Sequence, residues 1–188
     1  MFIYESRASY IIYNFIKSFS ASNKYFILPA NICPIVVMVF CKAQVKFELV
    51  DISEEDFCLD REQVINKLEK EKDKYGGILF NRTYGYVDDQ EKFFRKIKTI
   101  NPELLVIDDH GLCKPDFNSP SSQYVDLFLF STGKEKYADV GYGGFGFLKD
   151  NYKYQAKDLN YKKEDLDNLE QSIRQALNIF LTALVRAL

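Results

Sequence analysis

Little in this sequence serves metal or redox chemistry. There is one histidine, His110, and four cysteines, at positions 33, 41, 58 and 113, with no CxxC pair among them. Zinc sites need clustered ligands and a disulfide frame needs matched pairs, so the spacing speaks against both and predicts no metal site. Cys33, Cys41 and Cys58 lie in or beside apolar runs, which predicts buried free thiols in a reducing, cytoplasmic compartment. An excess of either charge is also lacking. Lys and Arg number 25 against 27 Asp and Glu, a net charge of −2, and the cations are dispersed. That leaves no electrostatic footprint for nucleic acid or an anionic membrane. The first residues, MFIYESRASYIIYNF, carry charges inside their apolar stretch and show no signal-peptide cleavage pattern. Residues 176–188 are the most apolar terminal stretch, yet fall short of the roughly 20 residues of a bilayer span and include Arg186. No internal repeat, low-complexity tract or long linker interrupts the 188 residues, so one domain with a substantial core is expected over 1–188.

The rest is organised around residues 127–148, LFLFSTGKEKYADVGYGGFGFL. An apolar run ends at Phe130, a turn passes Ser131 to Gly133, two lysines follow at 134 and 136, and a glycine cluster precedes a second apolar run. The pattern predicts strand, lysine loop, strand. Gly141, Gly143 and Gly144 allow positive φ and close backbone approach. A lysine that is desolvated, or set near other positive charge, attacks carbonyls to form imines. The same pattern equally describes a solvated loop with two surface lysines. What converges on the loop decides between them.

Taken in order, Ser6 precedes a run from Arg7 to Ile16 with apolar residues at helical spacing, so Ser6 reads as the N-cap. A helix start with free N–H groups, a hydroxyl and an arginine suits a phosphate, and also fits an ordinary capped helix. Residues 25–28 read as a strand stopped by Pro29, and 32–41 as a helix with Pro34 in its first turn. An alternating strand follows at 45–50, then an amphipathic helix at 59–72 whose charges form a solvated face. Strands are predicted at 78–80 and 104–107, with a helix at 90–98 between them. Residues 164–188 read as a helix whose apolar end needs a cover from another subunit or domain. Alternating strands and helices predict an α/β fold, a three-layer α/β/α arrangement with a mostly parallel sheet. Ligands collect at the carboxyl ends of such strands, which puts residues 81–84, 108–110 and 131–136 on one rim.

A carboxylate at one strand end, a serine at the next and a lysine soon after form the set that holds pyridoxal 5'-phosphate. The acid keeps the pyridinium nitrogen protonated, so that the ring accepts electrons from the substrate carbon.

The segments LPANICP, KFELVDISEEDFCLD, TYGYVDD, LLVIDDHG and FSTGKEKYADVGYGGFGFL, in this order and spacing, resemble the DegT/DnrJ/EryC1/StrS sugar aminotransferases, fold-type I enzymes dependent on pyridoxal phosphate. The resemblance covers most of the chain and implies the large domain of that fold. By position it implies Lys136 as the imine-forming lysine, with Lys134 outside the family's spacing. Asp109 would face the pyridine nitrogen while Asp108 points away as a structural acid. Ser131 would contact the phosphate, together with the helix start at Ser6, Arg7 and Ala8. Asn160, in LNYKK, resembles an asparagine that reaches the phosphate of the neighbouring subunit, which implies a homodimer. The implied reaction is amination of a keto sugar nucleotide, with an amino acid as donor, in cytoplasmic steps of cell-surface polysaccharide biosynthesis.

Departures accompany the matches. Where the family has Ala-Ala and then Gln or His near the ring oxygen, this chain has His110-Gly111-Leu112, so His110 is either a replacement cofactor contact or a structural residue. No aromatic residue lies around positions 31–34 to stack on the ring, which leaves His110 or Tyr84 to cover it. Tyr142 replaces a glutamate of the family's glycine motif. The family's smaller carboxy-terminal domain is not represented here, so the resemblance implies a truncated enzyme or one half of a split enzyme, whose second polypeptide would supply that domain. These departures favour an alternative reading: a non-catalytic remnant serving as a dimerising or binding partner.

Overall fold

Apolar runs of four to seven residues form the strands and the amphipathic segments between them form helices. In the computed structural model, residues 1–156 are described, except 21, 22, 87, 119 and 121. The order is β1 (Phe2–Glu5), α1 (Ala8–Phe19), β2 (Tyr25–Pro29), α2 (Pro34–Ala43), β3 (Phe47–Val50), α3 (Arg61–Glu71), β4 (Tyr75–Asn81), α4 (Glu91–Ile100), β5 (Leu105–Asp109), β6 (Leu127–Ser131) and β7 (Gly144–Leu148). One sheet joins all seven strands in the order β1-β7-β6-β5-β4-β2-β3. Pairings from β3 through β6 are parallel, and β7 runs antiparallel to both β6 and β1. The α/β class and mostly parallel sheet are as expected. Strand β1 is an addition, because its four residues place apolar side chains on both faces and the alternation is lost. The expected helix at 164–188 and Asn160 lie outside the described residues.

Alternation along the strands sorts side chains into two cores. Leu79, Leu105, Ile107, Leu127 and Leu129 pack with Ile11, Phe15, Val39 and Phe40 of α1 and α2. Phe80, Val106, Phe128 and Phe130 pack on the other face with Val64 and Leu68 of α3 and Phe94 and Ile97 of α4. Phe15, Phe26, Phe40 and Phe80 are fully buried, each contributing about 1.5–3 kcal/mol by removal from water. All four cysteines are free, but only Cys58 and Cys113 are buried. Cys33 sits at the N-cap of α2 and Cys41 on its outward side, so their apolar neighbours turn inward without them. Among the described residues no helix is long and apolar enough to cross a membrane.

Candidate active site

The parallel strands β4, β5 and β6 end on a common rim, and the alternation that fills the cores decides what faces it. Asn81, Asp109 and Ser131 continue the rows of Leu79, Ile107 and Leu129, so all three stand on the face covered by α1 and α2. Asn81 and Asp109 are direct register partners. Asp108 continues the opposite row and is fully buried.

The two aspartates differ in their partners. Asp108 accepts from Arg82 Nε and Nη2, both at 2.8 Å, a bidentate pair beneath the strand ends. Burial alone would raise its carboxyl, but Arg82, assisted by His110, holds it below the ordinary range. Asp109 accepts one hydrogen bond, from the Gly111 N–H to Oδ1 at 2.8 Å. Burial raises its carboxyl, against the pull of that N–H and of the Lys136 ammonium. The second oxygen of Asp109 takes no hydrogen bond from any described residue. A carboxylate with a free acceptor and a raised proton affinity is suited to a cationic N–H donor.

Lys136 lies in the loop after β6, half-buried, with its N–H on the Gly133 carbonyl at 3.3 Å. Lys134 is exposed, and its charge acts on Asp139 instead of Asp109. Asp139 closes the loop by accepting from the N–H groups of Glu135 (2.9 Å) and Gly141 (2.8 Å), which hold its carboxyl below the ordinary range. Ser131 is the last residue of β6, and its register partner on β7 is Gly144.

Gly144 also seats the start of α1. A Cβ there would fall 2.3 Å from the Ala8 nitrogen, so only glycine lets the helix start approach the strand this closely. The Gly143 N–H binds the Ser6 carbonyl at 2.7 Å, and the Thr132 N–H binds the Gly143 carbonyl at 3.2 Å. The helix start is thereby fixed beside Ser131. Arg7, not Ser6, is the N-cap, with φ −149° and ψ 144°, and among the described residues no side chain caps the first turn. Ser6 contributes its backbone carbonyl to the Gly143 contact and does not act as a cap. Uncapped N–H groups with no acidic side chain in the first turn favour an anion.

His110 follows Asp108 onto the opposite face. Its ring packs 5.0 Å from Phe130 and 6.0 Å from Phe128, and Nε2 lies 3.1 Å from Asp108 Oδ2, off the line a hydrogen bond requires. It is therefore not brought together with Asp109, Ser131 and the helix start, because the pleat turns residues 108 and 110 the same way. Tyr84 stands on the rim, 83% exposed and with φ +53°, its ring 6.0 Å from Phe57. Three contributors escape the sequence reading. Arg82 is hidden in a polar turn, Gly111 leaves no periodic signal, and Gly144 reads only as one of a cluster.

No family model matches the chain, and no curated protein does. Solved structures do match its fold. One is the sugar aminotransferase CalS13 from Micromonospora echinospora, at 13% identity and TM-score 0.66, covering 80% of this chain and 42% of that one. Another is 3-amino-5-hydroxybenzoic acid synthase, at 15% identity and TM-score 0.65, covering 79% of this chain and 38% of that one. A third is NtdA from Bacillus subtilis with bound cofactor PMP, at 21% identity and TM-score 0.65, covering 80% of this chain and 33% of that one. The described residues thus have the fold found in pyridoxal-phosphate-dependent sugar aminotransferases. The chain spans about two fifths of the length of the first structures it matches.

Proposed function

We propose that this chain holds pyridoxal 5'-phosphate and serves as the cofactor-binding part of an aminotransferase acting on keto sugar nucleotides with an amino-acid donor. The observation that carries the reading is Asp109. Its second oxygen, unbonded among the described residues, lies on the sheet face that also bears Ser131 and the start of α1, and the Lys136 charge acts on Asp109. Asp109 would hold the ring nitrogen, Ser131 with the N–H groups of Ala8 and its neighbours would hold the phosphate, and Arg7 would add a cation at its edge. Lys136 would supply the amine for covalent attachment and, once freed, would move the proton at the substrate carbon. When bound, the cofactor supplies an electron sink for that carbon. A homodimer would bring Asn160 of the partner subunit to the phosphate.

Purified protein mixed with pyridoxal phosphate is expected to develop a visible absorption band, which an amino donor such as glutamate then bleaches. A band without bleaching favours the non-catalytic binding module. No band at saturating cofactor rejects the cofactor reading.

A further inference from the structure

Arg82 is buried, unassigned by the cofactor reading, and bonded to both acids at the end of β5. Its backbone N–H donates to the Asp109 carbonyl at 2.8 Å, while its guanidinium takes the Asp108 carboxylate through Nε and Nη2. Nη1 binds the Asp88 carbonyl, and the guanidinium carbon sits 5.3 Å from the centre of the Phe80 ring. Around it the face is apolar, with Phe80, Phe128, Phe130, Cys58 and Cys113. A pleated strand sends adjacent side chains to opposite faces, so one aspartate must enter this core for the other to face the rim. A carboxylate left unpaired in this core is costly. A strand end that turned to release it would carry Asp109 with it.

We propose that Arg82 is a positioning residue for Asp109: by holding Asp108 in the core and the Asp109 carbonyl in register, it decides which acid faces the ligand. The placement of Asp109 stands on the contacts above, and its use on a pyridine nitrogen rests on the proposed function. Charge balance alone is a weaker role, and the two separate cleanly. The double variant Arg82→Gln/Asp108→Asn removes one charge of each sign. If Arg82 only neutralises Asp108, the double variant removes the Asp108 charge that raises Asp109, and the titration of Asp109 falls or stays where it was. If Arg82 positions the strand end, Asp109 moves off the Gly111 N–H and away from Lys136, which both hold its proton affinity down, and its titration rises.

The experiment follows the Asp109 carboxyl by carbon NMR in labelled, cofactor-free protein, for wild type, the double variant and Arg82→Lys. The expected result is an Asp109 titration displaced upward, by about one pH unit or more, in a folded double variant, and a smaller upward displacement in Arg82→Lys. An unchanged or lowered midpoint in the double variant overturns the proposal. Should the double variant not fold, Arg82→Lys decides alone by the same criterion. Pyridoxamine phosphate affinity is measured on the same proteins. Wild type that fails to bind it, with the NMR displacement present, sinks the cofactor reading and leaves the positioning role standing.

Discussion

Asp108 and Asp109 are chemically identical neighbours on one strand, yet the pleat gives them opposite work. Asp108 is enclosed, doubly bonded by Arg82, and held ionised. Asp109 faces the rim with one N–H donor, one oxygen that is unbonded among the described residues, and a carboxyl pushed upward by burial. A buried charge is tolerated in a fold when its partners satisfy it, whereas an under-satisfied one at a strand end keeps capacity for something else. The same contrast recurs in the lysine loop, where Lys136 acts on Asp109 and Lys134 on Asp139.

The contrast between the lysines is broken most completely by substitution. Lys136→Ala is expected to abolish covalent capture of pyridoxal phosphate, with Lys134→Ala near wild type, as read by the visible band. Among the aspartates, the larger stability effect belongs to the enclosed side. Asp108→Asn leaves a buried guanidinium unpaired and is expected to cost about 3–5 kcal/mol in urea unfolding. A cost below about 1 kcal/mol would show that the Arg82 pair is not the structural half of the contrast.

On the rim side, Gly111→Ala sharpens the comparison. Its Cβ would lie 2.9 Å from Asp109 Oδ1, so the carboxylate must give way. Affinity for pyridoxamine phosphate should fall about tenfold, equivalent to about 1.4 kcal/mol, while the unfolding midpoint moves little. The smallest effect is a pH dependence. The folded-state pKa of Asp109 lies above its ordinary 3.8, so its proton binds more tightly in the folded protein. The stability from that proton is present below pH 3.8 and is lost as pH rises through the folded value. Asp109→Asn should therefore raise the cofactor-free melting temperature at neutral pH and show no gain below pH 3.8. A lower melting temperature at neutral pH would mean that the carboxylate is a structural asset after all.

Much of this arrangement is legible in the sequence because strand periodicity is strong. LVIDD has an apolar run that fixes a buried strand, and adjacent acids at its end must part company across the pleat. The shared rim follows from the mostly parallel sheet that the alternation of earlier strands and helices predicts, although among the described residues no helix separates β5 from β6. Strand β1 escapes because its pairing with β7 joins residues from opposite ends of the described chain, such as Phe2 with Phe147, and its four residues carry no clear pattern. Arg82 escapes for a related reason: a cation in a polar turn looks solvated until the fold brings Asp108 beneath it, 26 residues later. The Ser6 cap fails because the glycine contact from β7 takes over the helix start, leaving its N–H groups free of any side-chain cap.

The most direct measurement is to reduce the protein with borohydride in the presence of pyridoxal phosphate and map the labelled peptide by mass spectrometry. The label is expected on Lys136 alone. A label on Lys134, or one scattered over surface lysines, would contradict the proposal that Lys136 supplies the reactive amine.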